Sequence, residues 1–366
     1  MSAGRAGDER RTRLRHGAGS SAAEARGERA LTSQPRDRIE AALDRLGRLR
    51  VLVVGDLLLD EYRRGDVDRI SPEAPVPVLR VRESESRLGG AANVARNVVS
   101  LGARCRLVGL AGCDREGDAL CAEVAALGMP VAGVVRTPDR PTTHKLRVIA
   151  RSQQMLRLDR EEDGAISPEH DEALRRAVAA AIDDCDAVVL ADYDKGVFAA
   201  GLGRWVIALA RRQGIAVAAD PKRDPARFRG AALVKPNLEE ATRFVTGSDA
   251  SPETRRAWLE KLRDALGGGE VVVTRGRAGM SALDAEGRFF DVPTRPLEVF
   301  DVQGAGDTSI AALALCRAAG ADLAEACVVA NAAAAVAVEK VGTAAVSRRE
   351  LEARLGDARS LFEARP

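Results

Sequence analysis

The 366 residues contain only three histidines (His16, His144, His170), too scattered to build a zinc cluster or a metal-borne hydrolase. The six cysteines (Cys105, Cys113, Cys121, Cys185, Cys316, Cys327) include no C-x-x-C pair and mostly sit in or beside apolar runs. They are expected to be buried, reduced thiols and not disulfides. Aromatic residues make up 3% of the chain, too few to interleave basic segments as single-stranded nucleic-acid binding requires. No apolar run reaches membrane-spanning length, and the N-terminus lacks the hydrophobic segment of a signal peptide, so a soluble, cytoplasmic protein is expected. No G-x-x-x-x-G-K-[ST] occurs, which excludes a Walker-type phosphate loop. Charge of one sign is also missing. The net +2 divides into +4 over residues 1–38 and −2 over the rest, which argues against nucleic acid or membrane as the main partner.

What is present is an alternation. Residues 1–38 are polar, rich in Arg, Gly, Ala and Ser and without hydrophobic period, and read as a disordered extension. The remainder, 39–366, reads as one domain. From Arg50 onward, continuous apolar runs such as RVLVVGD, RCRLVGLAG, DAVVLADY, IAVAADP, AALVKPN and EVVVTRG alternate with helical patterns such as AANVARNVVSLG and LGRWVIALARRQG. Continuous apolar strands between helices predict an α/β fold, a doubly wound, mostly parallel sheet covered on both faces. Ligands of such sheets bind outside the carboxyl ends of the strands, where Asp56, Asp60, Asp192, Asp220, Asn237 and Thr274 fall. Two segments break the pattern. Residues 62–88 hold three prolines and an alternating stretch, and residues 143–160 alternate apolar and polar residues. Both predict strands with one exposed face, a small β-sheet serving as a lid or as the clasp of a homodimer.

Four motifs carry candidate chemistry. In DVQGAGDTSI, Gly304, Ala305 and Gly306 open an apolar helix, and a helix N-terminus is a natural anion site. Asp307 in that turn is either a helix-start acid or part of an active site, and the stretch alone does not decide. GGAANVA places Gly89 and Gly90 before a helix with Asn93 in its first turn, so a ligand can approach the backbone or the helix can pack tightly. KPNLEEA sets Asn237 and Glu240 at capping-box spacing. VTRGRAGMSAL puts Thr274, Gly276 and Gly279 on a strand-turn-strand where a nucleotide could lie, or which is a plain hairpin.

Together, GGAANVARNVVSLG, DVQGAGDTSIAALA and the N-x-x-E of KPNLEEA resemble, in order and separation, the signatures of the PfkB (ribokinase-like) sugar kinases. The resemblance covers about residues 48–355. VGDLLLDEYRRGDVDRISPEAPVPVLRV, THKLRVIARSQQMLRLDREE, LADYDKGV and ANAAAAVAVEKVGTAAVS are similar to one branch, the bacterial D-glycero-β-D-manno-heptose 7-phosphate kinases. Many relatives of that branch continue into a nucleotidyltransferase domain; no H-x-G-H occurs here, and a stand-alone kinase is expected.

The resemblance implies transfer of the ATP γ-phosphoryl to the anomeric hydroxyl of heptose 7-phosphate, in ADP-heptose biosynthesis. It makes Asp307 the base, with the Gly304, Ala305 and Gly306 backbone stabilising the transferring group. Asn237 and Glu240 would hold Mg²⁺ through water, Thr274, Gly276, Gly279 and Asn331 would border the nucleotide, and Asp301 would help bind a monovalent cation such as K⁺. Asp60, Gly89, Gly90, Asn93 and Asp192 would take sugar hydroxyls. The 7-phosphate needs cations, for which Lys145, Arg147, Arg151 and Lys195 are the candidates. The sequence departs from the family at Gln303, where Thr is usual, which bears on nucleotide affinity or cation dependence. The competing readings are a PfkB kinase for ribose or fructose 1-phosphate, a catalytically idle relative acting through its basic tail, and an NAD oxidoreductase, the last disfavoured by the incomplete glycine fingerprint.

Overall fold

The computed structural model describes residues 35–151, 153–245, 252–294 and 300–357. The expected disordered extension lies outside the described residues up to position 34. Residues 35–38 are instead the first turn of a helix, α1 (Pro35–Arg45), in which Arg38 Nε lies 2.5 Å from Glu325.

In chain order, α1 leads to β1 (Arg50–Gly55), then to a long hairpin of β2 (Leu57–Ile70) and β3 (Pro77–Gly90). Next come α2 (Ala91–Ser100), β4 (Arg104–Gly112), α3 (Arg115–Ala126), β5 (Val134–Thr137) and a second hairpin, β6 (Thr143–Ala150) and β7 (Gln153–Arg160). α4 (Pro168–Ile182), β8 (Ala187–Ala191), α5 (Leu202–Arg212), β9 (Ala216–Asp220), β10 (Leu233–Val234), α6 (Leu238–Phe244), α7 (Pro252–Leu266) and β11 (Glu270–Thr274) follow. β12 (Met280–Leu283), β13 (Phe289–Val292), α8 (Ala305–Ala318), α9 (Leu323–Val338) and α10 (Arg348–Asp357) complete the described chain.

Nine strands form the main sheet in the order β13-β12-β11-β10-β9-β8-β1-β4-β5. It is parallel from β5 to β11, with β12 and β13 antiparallel at one edge. The unbroken apolar strands now have their reason. In β1, Val51 and Val53 face a core shared with α2, α8 and α9, while Leu52 and Val54 face a second core under α4, α5 and α7. A strand buried on both sides has no polar alternation to show. For the same reason α8 is apolar nearly all round, because it lies between the sheet and α9.

The second sheet, β3-β2-β6-β7, is the lid expected from residues 62–88 and 143–160. β2 pairs antiparallel with β3 and parallel with β6, and β6 pairs antiparallel with β7. Cross-strand register puts Asp60 beside Lys145 and Lys145 beside Asp159, and the next row on that face holds Tyr62 and Arg147. The lid face is thus charged in a fixed pattern. Leu156 and Leu158, of opposite parity, are more than half exposed. Among the described residues, no helix is long and apolar enough to cross a membrane.

Candidate active site

The carboxyl ends of β8, β9 and β10 bring Asp192, Asp220 and Lys235 into one crevice, onto which the N-terminus of α8 comes down, and Asp56 follows the neighbouring β1. Gly304 caps α8 with φ 78°, a left-handed conformation that favours glycine, and a Cβ there would lie 3.0 Å from Asn93 Nδ2. The first N–H groups of α8 have no partner within the helix and carry its positive dipole end.

Asp307 is buried just inside that turn. Its two oxygens are both occupied: Asn93 Nδ2 donates to Oδ2 at 2.5 Å, and the Tyr193 hydroxyl donates to Oδ1. Burial pushes the Asp307 carboxyl above the ordinary carboxylate range, against the Tyr193 and Asn93 hydrogen bonds and the Lys235 charge. The Tyr193 phenol is itself pushed well up by burial and by Asp307, so it stays a donor at neutral pH. Both oxygens are thus taken by side chains from distant parts of the chain. A helix-start acid caps N–H groups; this one faces a phenol and an amide.

Asn93 is oriented in turn. Its Oδ1 accepts from Arg96 Nη2 at 2.8 Å, which turns the amide nitrogen toward Asp307. Gly89 was expected to let a ligand approach, and the space beside it is shaped by Asp60, since a Cβ would sit 2.6 Å from Asp60 Oδ2. Gly90 precedes α2 as its N-cap. Asp60 pairs with the buried Arg147 at 2.6 Å, and Arg147 also lies over the Tyr62 ring. The Tyr62 hydroxyl donates to Gln303 Oε1 at 3.0 Å, so the departure from Thr at 303 ties the lid to the loop before the glycine turn.

Some predicted residues hold structure as well as lining the site. Asn237 and Glu240 form a complete capping box on α6, and Glu240 Oε1 also lies 2.6 Å from Lys222 Nζ. Asn331 spends its amide on Thr294 Oγ1 and the Pro293 carbonyl. Asp192 accepts backbone N–H groups of Asp194 and Lys222. Asp301 accepts from the Gln303 and Gly342 backbones, clamping two loops. All of these except Asp301 border one cleft of about 800 Å³, together with Thr274, Gly276, Gly279, Ala305, Gly306 and Asp307. The four cations considered for the phosphate divide. Lys145 and Lys195 meet on Glu161 (2.6 and 3.1 Å), near the Asp60–Arg147 pair, whereas Arg151 lies exposed in the turn after β6 and away from them.

Sequence reasoning missed Lys235 and Tyr193, and named Asp56 only as a strand-end residue of the crevice. Lys235 is 1% exposed, with Nζ 3.0 Å from Asp220 and 3.8 Å from where a Cβ on Gly306 would stand. Burial lifts Asp220 to about 7 against the Lys235 charge, with Glu240 and Asp307 adding to the rise. Asp56 accepts the backbone N–H groups of Tyr193, Lys195 and Val197, so it shapes the loop that presents Tyr193. Burial, with Asp192 beside it, still raises Asp56 to about 6. The available signal was the polar residue ending each apolar strand.

The pfkB family carbohydrate kinase profile matches residues 48–350. The chain is 46% identical over 314 residues to the bifunctional protein HldE of Shewanella amazonensis, covering 86% of this chain and 65% of that protein. To the bifunctional protein HldE of Desulfatibacillum aliphaticivorans it is 41% identical, with the same coverage, so the chain spans 65% of the length of these curated relatives. Among solved structures, Escherichia coli phosphofructokinase-2 in complex with potassium superposes with a TM-score of 0.70 at 22% identity, over 84% of this chain and 98% of that one. Arabidopsis thaliana ribokinase complexed with ribose and ATP gives 0.63 at 20% identity with the same coverage. These two show the ribokinase-like fold. The chain belongs to the pfkB family of carbohydrate kinases, phosphotransferases that act on a hydroxyl.

Proposed function

We propose that this chain transfers the γ-phosphoryl of ATP to the anomeric hydroxyl of D-glycero-D-manno-heptose 7-phosphate. The carrying observation is a chain of neighbouring groups. Asp307 at the glycine turn feels the charge of Asp60, Asp60 pairs with Arg147 and stands beside Lys145 in the lid register, and Lys145 meets Lys195 on Glu161. A base, a hydroxyl-binding carboxylate and a pair of ammonium groups match a sugar with its reacting hydroxyl at one end and a phosphate at the other. Identity above 40% to the HldE proteins supports the same branch.

Asp307 takes the proton of the attacking hydroxyl, whose anomeric character makes it more acidic than an ordinary alcohol. Tyr193 and Asn93 hold the carboxylate ionised and aimed. The N–H groups at the start of α8 and the Lys235 ammonium stabilise charge on the transferring group, which in phosphoryl transfer is most of the catalytic work. The acids of the large cleft fit a hard divalent cation. Asp220, raised to about 7 by burial and by Glu240 and Asp307, sits in excess negative charge that such an ion relieves. Both oxygens of Glu240 already have partners, so Mg²⁺ would be held by Asn237 and Glu240 through water and mainly by the nucleotide phosphates. When bound, it supplies charge neutralisation across those phosphates. A potassium ion at Asp301 would share oxygens that accept backbone N–H groups, and no step here depends on one.

The test is a coupled assay of ADP release against heptose 7-phosphate, free heptose, ribose and fructose 1-phosphate. Turnover confined to heptose 7-phosphate is expected, and none with it defeats the assignment. In the same assay Lys195→Ala should raise KM for heptose 7-phosphate at least about tenfold, the scale of a lost charge-assisted contact. KM for ATP should stay within about twofold; a pure ATP effect would remove Lys195 from the sugar site.

The exposed Leu156 and Leu158 with Met155 and Val81 make the lid the contact for a second copy in a homodimer. Light scattering should give twice the 38.8 kDa chain mass, and Leu156→Lys with Leu158→Lys should yield monomers. A wild-type monomer would end that reading. A cytoplasmic location suits the ATP requirement.

A further inference from the structure

Lys145 comes from β6 and Lys195 from the loop after β8, two elements of different sheets, yet their ammonium groups share one carboxylate. Glu161 Oε2 lies 2.6 Å from Lys145 Nζ and Oε1 lies 3.1 Å from Lys195 Nζ. Both lysine side chains are about 15% exposed, so water screens their mutual repulsion poorly. An anion between them is needed for the two to stay close. Each lysine has a further acid, but these are not equivalent to Glu161. Asp159 is shared with Arg157 on the strand pair, and Asp163 is two-thirds exposed and, among the described residues, pairs with Lys195 alone. Among the described residues, Glu161 is the acid that reaches both. It stands one residue past the end of β7, outside the strand ladder.

We infer that Glu161 is an internal stand-in for the substrate's phosphate: its carboxylate bridges Lys145 and Lys195, and a phosphate monoester displaces it on binding. The chemistry of the exchange is simple. A monoester carries close to two negative charges at neutral pH and three acceptor oxygens, against one charge and two oxygens on Glu161. It can span both ammonium groups with stronger bonds, but only after the resident anion has swung into water. A free sugar brings nothing to displace Glu161. The carboxylate therefore lowers affinity for the phosphate end and narrows the margin by which a phosphorylated sugar is preferred over a free one. The inference rests on the assignment of Lys145 and Lys195 to the phosphate end of the sugar.

The test is calorimetric titration of the full chain with inorganic phosphate and with heptose 7-phosphate. Glu161→Gln keeps the shape and removes the charge, and it should tighten phosphate binding by roughly fivefold, with a matching fall in KM for heptose 7-phosphate. Glu161→Asp, one methylene short of spanning both lysines, should move in the same direction, and it serves if the Gln variant does not fold. Asp163→Asn should change phosphate affinity by less than about twofold, because its partner is solvated. Weaker or unchanged phosphate binding in both Glu161 variants would show that Glu161 merely positions the lysines, and would overturn the inference. Equal tightening in Asp163→Asn would reduce it to general charge removal and overturn it as well. A wild-type protein that binds phosphate but does not turn over heptose 7-phosphate would strike the substrate assignment while leaving this inference standing.

Discussion

Asp307→Asn should lower kcat by about 10³-fold, near 4 kcal/mol of barrier, while KM for ATP stays within about threefold. The substitution is informative because the fold has reason to accept it. The carboxylate receives donors from both sides, Asn93 Nδ2 on one oxygen and the Tyr193 hydroxyl on the other. An asparagine can keep its oxygen toward Asn93 and turn its nitrogen toward the phenol oxygen, which can accept as well as donate. It also removes a charge from a site where burial already disfavours ionisation, so Tm should not fall. Activity lost without stability lost is the signature of a base. The pH dependence adds an independent check. Burial raises the Asp307 carboxyl, so the acid limb of kcat should lie above the ordinary aspartate range. Activity is present at higher pH and lost as pH falls through that raised value. Tyr193→Phe deletes a donor to the ionised form, and should move the limb upward while sparing the plateau at higher pH. Retention of more than a tenth of kcat in Asp307→Asn, or an unmoved limb in Tyr193→Phe, would take the base assignment away from Asp307.

The frame of this site was legible because its signals are local. Strands such as VLVV and VVVT are buried on both faces and announce it by lacking alternation, while HKLRV alternates because one lid face carries Lys145 and Arg147 and the other carries Leu146 and Val148. The glycine turn and Asn237–Glu240 could be read because each lies within a few residues of sequence. The unread residues act across distance in the chain. Lys235 stood in plain view inside KPNLEEA, but its meaning depends on Asp220, fifteen residues earlier on the neighbouring strand. Tyr193 reaches Asp307 across 114 residues, and nothing in LADYDKGV states that its phenol is buried. Asp56 resembles a ligand at a strand end, yet it accepts three backbone N–H groups. Lys145 and Lys195 were read as candidates for the phosphate, and no local pattern announces the carboxylates that the structure pairs with them. A pattern can locate polar residues at a crevice, but which of them pair with each other is settled by packing.

Lys235→Met should cost about 10²–10³-fold in kcat, with a smaller rise in KM for ATP, the scale of losing a preorganised charge at developing negative charge. The ammonium is fixed in place by its burial, by Asp220 Oδ2 at 3.0 Å and by the glycine turn beside it. Little reorganisation is therefore needed when charge builds on the transferring group. The substitution acts on the acids too. Without Lys235, both Asp220 and Asp307 lose a neighbour that lowers their carboxyls, so both rise further. Asp220 already lies near 7, so at neutral pH it can take up a proton instead of leaving a stranded charge, and the fold should survive. For Asp307 the same rise moves the acid limb of kcat upward, in the direction expected for Tyr193→Phe. The two effects can be separated. Higher pH should restore the part lost by protonating Asp307, and should not restore the part lost from charge stabilisation. Adding Asp220→Asn to Lys235→Met removes the unpaired acid, so Tm should recover while kcat stays low. If instead the double variant regains wild-type turnover, Lys235 serves only to neutralise Asp220, and the transferring group is stabilised by the backbone of α8 without it.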